Sequence, residues 1–372
     1  MLVIVIGGGI AGISAAAELA AEHDVTVVEQ EPVLAYHTTG RSAALFVENY
    51  GDGTARPLTA ASRAFFDAPP DGFADHPLLS PRGALTVATP AQRSELDRLF
   101  RAGSARSRRV ELLDAGRAVA MCPVLHRDYV AAAVWEPDAA DIDVAALHQG
   151  FVRRLRTRGG RILPSAEVLE GHHTAGRWTV RTASETLHGD VVVNAAGAWS
   201  DVVAQRCGVA SVGLDPRRRT AFMVGAPPGS AQWPMVIDAE ERFYFKPDGT
   251  QLLCSPADET PSPPVDARPE ETDVAIALDR INAATTLDLR HVRSQWAGLR
   301  TFSPDRAMVI GRDPSRSAFV WLAGQGGTGI QSAPAAARLA ASIVNGSGVP
   351  DDILAAGLDP GDVGPSRFGD PA

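Results

Sequence analysis

The sequence predicts an α/β chain, α+β overall, in which a parallel-sheet domain is interrupted by a second domain built on a mixed or antiparallel sheet. Three observations predict it. An apolar run, Leu2 to Ile6, passes through glycines into a helix-patterned stretch and then into a second apolar run, Val25 to Val28, the order of a β-α-β unit. Two proline-punctuated blocks, Asp52 to about Ala139 and about Gly213 to Gln295, break that pattern. After each block the strand-and-helix order resumes.

The elements follow in chain order. Leu2 to Ile6 lacks the basic flank of a signal peptide and reads as a buried strand. Ile10 to Ala21, small and apolar, suits a helix packed closely on a sheet, and Val25 to Val28 ends at Glu29. Within the first proline block, Gly83 to Ala88 reads as a strand. Asp143 can cap a helix from Val144 to Arg158, which stops at Gly159-Gly160 before the strand Arg161 to Leu163. Trp178 to Thr182 and Thr186 to Asn194 read as strands, with His172-His173 in a solvated loop before them, and Trp199-Ser200-Asp201 opens a helix. Ala318 to Ala323 is a strand, followed by a glycine loop, Gly324 to Gly329, and an alanine-rich helix to about Val344. The expected division is residues 1–51, 140–212 and 300–372 for the first domain, and 52–139 and 213–299 for the second.

Bulk properties narrow the function. The 372 residues exceed what one core usually serves, and 45% apolar with 21% charged residues is a globular composition. A net charge of −9 gives no pull toward phosphate backbones or anionic lipid, so the expected partner is a small molecule, not nucleic acid or a membrane surface. Cys122, Cys207 and Cys254 are too few and too scattered for a disulfide framework or a zinc site, which points to a reducing cytoplasm and no bound metal. No run approaches the roughly 18 apolar residues of a membrane-spanning helix, so a soluble protein without an integral membrane segment is expected.

Gly7, Gly9 and Gly12 form G-x-G-x-x-G directly after a strand, with Ile10 and Ala11 opening the helix and Glu29 twenty residues beyond Gly9. The first glycine allows the tight turn, the second lets backbone approach a pyrophosphate, and the third lets helix and strand pack closely. The helix N-terminus offers free N–H groups to phosphates, and Glu29 can accept from ribose hydroxyls. This is a Rossmann-like dinucleotide site; NAD and FAD both use it.

The choice comes from His37-Thr38-Thr39-Gly40-Arg41-Ser42-Ala43-Ala44 and from Gly324-Gln325-Gly326-Gly327-Thr328-Gly329-Ile330-Gln331. With these the chain resembles the FAD-dependent D-amino-acid oxidase superfamily, and within it the bacterial D-arginine dehydrogenases. The resemblance also runs through LTAASRAFFD at Leu58 to Asp67, HPLLSPR at His76 to Arg82, ADIDVAALHQG at Ala140 to Gly150, VVNAAGAW at Val192 to Trp199, FYFKP at Phe243 to Pro247 and WAGLR at Trp296 to Arg300. It implies noncovalent FAD with its isoalloxazine between the two domains; no cysteine follows Cys254 to form the link found in sarcosine oxidases. The implied cofactor contacts are Gly7, Gly9, Ile10, Ala11, Gly12, Glu29 and Gln30 in the fingerprint, and Thr39, Arg41, Ser42, Ala43 and Ala44 in the following loop, where His37 also belongs. Further along they are Val168, Ala196, Gly197, Trp199, Gly298 and Arg300, then Gly324, Gly326, Gly327, Thr328, Gly329 and Ile330. It further implies that Arg219 and Arg300 grip a substrate carboxylate, as a planar guanidinium suits, that Tyr50 and Tyr244 supply hydroxyls, and that the Gly327 backbone accepts from the substrate amine.

The departures fall in the side-chain pocket. Leu45 and Val47 replace a histidine and a threonine of the family pattern, and Ala84 replaces the glutamate that holds a guanidinium. A buried guanidinium without a carboxylate is costly, so D-arginine is expected to be a poor substrate. Leu45, Val47, Ala84, Met235 and Ile237 imply a more apolar pocket, unless Glu48 turns inward. The expected reaction is oxidative deamination of an apolar or neutral D-amino acid, by hydride transfer from Cα to flavin N5, giving an imino acid that hydrolyses to a 2-oxo acid. The alternatives are oxidation of a secondary amine, N-methyl amino acid, cyclic imino acid or 2-hydroxy acid on the same fold, or a non-catalytic or carrier-dependent flavoprotein.

Overall fold

Alternation in the first strand sets the architecture. In Leu2–Ile6, Val3 and Val5 join one core while Ile4 and Ile6 join another, so the strand is covered on both faces, as parallel sheets require. The computed structural model describes residues 1–105 and 109–369. It places this strand inside a six-stranded sheet ordered Val309–Arg312, Phe319–Ala323, Val191–Asn194, Leu2–Ile6, Asp24–Val28, Arg161–Leu163. All neighbours pair in parallel except Val309–Arg312 with Phe319–Ala323. Helices Ile10–Leu19, Val144–Thr157 and Ala333–Asn345 cover the Val3 and Val5 face. The other face carries an antiparallel sheet of Val168–Thr174, Arg177–Thr182 and Thr186–Gly189, with Trp178 and Trp321 fully buried beneath it.

The Val144–Thr157 helix begins as its sequence implies: Asp143 accepts from Ala146 N at 2.7 Å, a cap worth about 1 kcal/mol. One turn on, buried His148 donates from Nε2 to Gly8 O at 3.0 Å, tying this helix to the glycine turn. Burial pushes the His148 pKa down, which keeps the ring neutral.

The second large sheet is mixed. Its order is Thr260–Pro261, Asp215–Gly225, Gln251–Ser255, Tyr244–Asp248, Met235–Asp238, Ala84–Ala88, Ala132–Glu136, Glu111–Asp114, and Ser294–Phe302 also pairs with Asp215–Gly225. Only the junction of Met235–Asp238 with Ala84–Ala88 is parallel among the described pairs. Side chains alternate: Leu85, Val87, Val236, Phe245 and Phe222 pack with Val274, Ala277 and Ile281 of the helix Glu271–Ala284. Ala84, Thr86, Met235, Ile237, Tyr244 and Ala221 occupy the opposite face. That face carries the site.

Three local expectations change. Thr186 to Asn194 is two strands in two sheets, broken at Asp190, whose N–H donates to Leu2 O at 2.7 Å and whose carboxylate accepts from Leu2 N at 2.7 Å. His172 and His173 lie in the strand Val168–Thr174, and His173 packs on Trp178 with ring centroids 5.1 Å apart. The helix Glu271–Ala284 lies within the second proline block, which in sequence reads as rich in strands and prolines. Among the described residues no helix is long and apolar enough to cross a membrane.

Candidate active site

The turn after the first strand needs its glycines. Gly7 has φ +113°, and a Cβ there would meet Ala195 O at 2.4 Å; a Cβ on Gly12 would meet Gly7 O at 1.9 Å. Helix Ile10–Leu19 therefore lies directly against strand Leu2–Ile6. No side chain caps this helix; Thr39 Oγ1 accepts from Ile10 N at 3.0 Å, and Gly9, Ile10 and Ala11 border a cavity that runs from Glu29 to Arg300. Its volume, counting the open mouth, is about 1530 Å³.

Glu29, 9% exposed, accepts from Gly8 N at 2.7 Å and Glu31 N at 2.9 Å. A carboxylate has about four lone-pair sites, so two hydroxyl donors can still be accommodated. Burial pushes the Glu29 pKa up, and the two backbone donors offset this only in part. Val168, Ala196, Gly197 and Trp199 form one wall, and Thr39, Arg41, Ser42 and Ala43 another. Arg41 also ties its loop to the strand Ser294–Phe302: Nη1 donates to Ala267 O at 3.0 Å and Ala297 O at 2.9 Å, while Trp296 Nε1 donates to Arg41 O at 2.9 Å. His37 packs on Trp199 at 4.6 Å and bonds Glu31 at 2.9 Å.

At its Arg300 end the cavity shares Ser42, Ala43, Arg219, Tyr244, Arg300 and Gly327 with a second chamber of about 2230 Å³, open mouth included. Strand register explains the meeting of the arginines. Arg219 pairs with Gly298 and Arg217 with Arg300, so Arg219 and Arg300 share one face as diagonal neighbours, roughly 7–8 Å apart at Cα. Arg300 Nη1 donates to Tyr50 OH at 2.9 Å. Burial works against the Arg300 charge, but the oxygens of Tyr50 and Tyr244 hold its pKa above the usual arginine value. Gly327 lies over this guanidinium, where a Cβ would come 2.7 Å from Arg300 Cζ. Arg219, 8% exposed, donates from Nε to Asp258 O at 2.8 Å and from Nη2 to Glu259 Oε1 at 3.2 Å. Two guanidinium groups facing one space make an oxyanion site.

Leu45, Val47, Met235 and Ile237 line the chamber, but Ala84 does not. It is 1% exposed, paired in register between Met235 and Glu136 and packed with Val47 and Ala139. Beside these apolar residues stands a charge other than Glu48: Glu136 borders the chamber from the position opposite Ala84. Glu136 accepts from Asn49 Nδ2 at 2.6 Å, and burial pushes its pKa up. Glu48 lies 3.7 Å from Arg63 and does not line the chamber. Gly12, Gly324 and Thr328 stand behind the cofactor wall, where Thr328 Oγ1 donates to Gln325 O at 2.9 Å, and Ala44 borders the chamber instead. Gln30, Gly298, Gly326, Gly329 and Ile330 are on the wall, along with Thr38, Leu299 and Gln325, which sequence reasoning missed. All three stand inside the quoted motifs, His37 to Ala44, Trp296 to Arg300 and Gly324 to Gln331, but nothing local singles them out from their neighbours as wall residues. None of the three cysteines borders either space, and burial pushes the Cys122 and Cys207 thiols up to about 12.

The family model "DAO: FAD dependent oxidoreductase" matches residues 3–343. The chain is 31% identical over 176 residues to FAD-dependent oxidoreductase domain-containing protein 1 of Bos taurus, a match over 41% of this chain and 35% of that protein. It thus spans about a third of the bovine relative. It is 25% identical over 366 residues to the glycine oxidase of Bacillus licheniformis, over 95% of each. L-proline dehydrogenase from P. horikoshii shares the fold, with TM-score 0.84 at 20% identity over 98% of this chain and 97% of that one. A cradle closed to any Cβ at Gly7 and Gly12, a helix whose N-cap residue Gly9 supplies no side-chain bond, and a buried carboxylate at Glu29 fit an adenine dinucleotide. With the family match running through all of them, the chain belongs to the DAO family of FAD-dependent oxidoreductases.

Proposed function

We propose that the chain oxidatively deaminates a D-amino acid with an apolar or neutral side chain, using noncovalent FAD and giving an imino acid that hydrolyses to a 2-oxo acid and ammonia. The observation that carries this reading is the pair Arg219 and Arg300 on one sheet face beneath Gly327, where the cofactor cavity opens into the chamber. When bound, FAD supplies the hydride acceptor. Arg300 and Arg219 hold the substrate carboxylate, Tyr50 and Tyr244 orient it through their hydroxyls, and Gly327 O accepts from the amine. Leu45, Val47, Met235 and Ile237 take the first atoms of the side chain. Fixing Cα in this way provides much of the acceleration. Similarity to a glycine oxidase supports an amine donor that bears a carboxylate. Glu136 is already bonded to Asn49 and burial pushes its pKa up, which makes it a weaker counter-ion for D-arginine than a solvated, unpartnered carboxylate.

The test is anaerobic mixing of holoenzyme with D-amino acids, their L-enantiomers, N-methyl and cyclic amino acids, and 2-hydroxy acids. Neutral D-amino acids are expected to bleach the flavin fastest, with D-arginine at least tenfold slower. Bleaching confined to N-methyl, cyclic or hydroxy acids would replace the reading with a different donor class.

FAD affinity should fall on acidification. In the folded apoprotein, burial favours protonated Glu29; its contribution to apoprotein stability is therefore present at low pH and lost as pH rises through the raised pKa. Ribose hydroxyls donate to the ionised form, so cofactor binding has the opposite dependence. Below the raised pKa, binding must release a proton, and affinity drops by about tenfold per pH unit until the bound-state pKa is reached. Flavin fluorescence titrations from pH 7 to 4.5 read this directly. Glu29→Gln should flatten the profile, and a flat profile in the unmodified protein would remove Glu29 from the ribose site.

A further inference from the structure

The clamp presents a charge problem before any substrate arrives. Arg219 and Arg300 are diagonal neighbours on one face, and Arg219 is 8% exposed, so two like charges share a partly desolvated space. The chain answers with a carboxylate of its own. Glu259 Oε1 accepts from Arg219 Nη2 at 3.2 Å, and both Glu259 oxygens accept from Arg306 Nη2, at 3.1 and 3.0 Å. All three residues border the substrate chamber.

The surroundings hold this bridge in place. Asp258 accepts on its carboxylate from Thr220 N at 2.6 Å and Thr220 Oγ1 at 3.0 Å, and its carbonyl accepts from Arg219 Nε at 2.8 Å. The Glu259 carbonyl accepts from Arg217 Nη1 at 3.3 Å. Arg306 lies over the Phe302 ring at 3.8 Å, and Phe302 follows Arg300 by two residues on the same strand. Glu259 is therefore fixed at the edge of the oxyanion site with its charge divided between one arginine inside the clamp and one outside it.

We propose that Glu259 is a built-in competitor of the substrate carboxylate for Arg219, and that Arg306 sets its strength by drawing the charge away from the clamp. This rests on the reading of Arg219 and Arg300 as a carboxylate site. It makes the affinity of the clamp a balance, which eases departure of the product, since a 2-oxo acid carries the same carboxylate as the substrate. It also gives the two members of one ion pair opposite effects. Removing the Glu259 charge strengthens the clamp, and removing the Arg306 charge turns the whole of Glu259 against the ligand.

The test uses holoenzyme and benzoate, an unreactive carboxylate, titrated by its perturbation of the flavin absorbance. Glu259→Gln, which keeps the shape and the one acceptor oxygen that Arg219 and Arg306 share, is expected to lower the benzoate Kd by roughly five- to tenfold, and Arg306→Gln to raise it by a similar factor. A merely structural bridge would move both in the same direction, because either loss loosens Arg219. Weakening in both variants, or no change in either at unaltered FAD content, overturns the inference while leaving the carboxylate site standing. If benzoate leaves the flavin of the unmodified enzyme unperturbed, the carboxylate reading itself falls and the inference with it.

Discussion

Replacing Arg300 with methionine is expected to raise the KM for the true donor by about two to four orders of magnitude while FAD stays bound. A guanidinium that grips a carboxylate through two charge-assisted hydrogen bonds contributes roughly 1.5–3 kcal/mol for each, and every 1.4 kcal/mol is about tenfold. Methionine matches the length and removes both bonds. Arg219 cannot take over, because its Nε and Nη2 are already held by Asp258 O and Glu259. The carboxylate is held alike before and during hydride transfer, so the loss should appear mainly in KM and less in kcat. Arg300→Lys restores the charge without the planar fork, and should recover part of the affinity. Arg300 is one of many groups on the cavity wall, and the change leaves the glycine turn, Glu29 and the Thr39 to Ala43 loop intact, so FAD is expected to be retained, which the ratio of visible to ultraviolet absorbance checks. An unchanged KM in a fully flavinylated Arg300→Met enzyme would remove Arg300 from the substrate site.

What could be read from the chain follows the range of each interaction. The first strand, the glycine turn and Glu29 lie within thirty residues and are governed by local sterics, so sequence alone describes them. Asp143 is equally local: a cap acts on the amide three residues ahead. The pairing of Arg219 with Arg300 is different. Each stands out only through its family motif, and what makes them neighbours is the register of Asp215–Gly225 on Ser294–Phe302, which no local pattern encodes. Glu136 was missed for the same reason, since it reaches the chamber only because Ala132–Glu136 pairs with Ala84–Ala88.

Two misread elements show where periodicity misleads. Thr186 to Asn194 alternates like one strand, yet the chain leaves one sheet at Gly189 and enters another at Val191. Asp190 makes the switch by bonding both backbone groups it meets at Leu2, and nothing in the alternation marks it. The helix Glu271–Ala284 did carry a signal: Val274, Ala277, Ile281 and Ala284 are spaced three and four apart and all are buried. The prolines before it, Pro261, Pro263, Pro264 and Pro269, obscured that period by marking the region as irregular.

Gly12→Ala is expected to yield a colourless protein with a lowered Tm, whereas Gly9→Ala should lose FAD affinity with little change in apoprotein Tm. The difference comes from what each new methyl meets. At Gly12 the Cβ would lie 1.9 Å from Gly7 O and 3.0 Å from Gly7 C, both backbone atoms of the tight turn, so no rotamer change can relieve it. Helix Ile10–Leu19 must move off strand Leu2–Ile6 by more than an ångström, which disturbs the contacts of Ile13, Ala16 and Ala17 in the core and withdraws Gly9 and Ala11 from the cavity wall. Overpacking of this kind costs about 1–3 kcal/mol, or roughly 1–4 °C in a chain of this size. At Gly9 the Cβ meets only Thr39 Oγ1, at 3.2 Å, so the fold tolerates it, but the methyl stands where backbone must approach a pyrophosphate. Flavin content and the Tm of the apoproteins separate the two roles. A yellow Gly12→Ala protein with unchanged Tm would mean that helix and strand do not meet at this glycine, and the close packing that aims the helix at the cofactor would have to come from elsewhere.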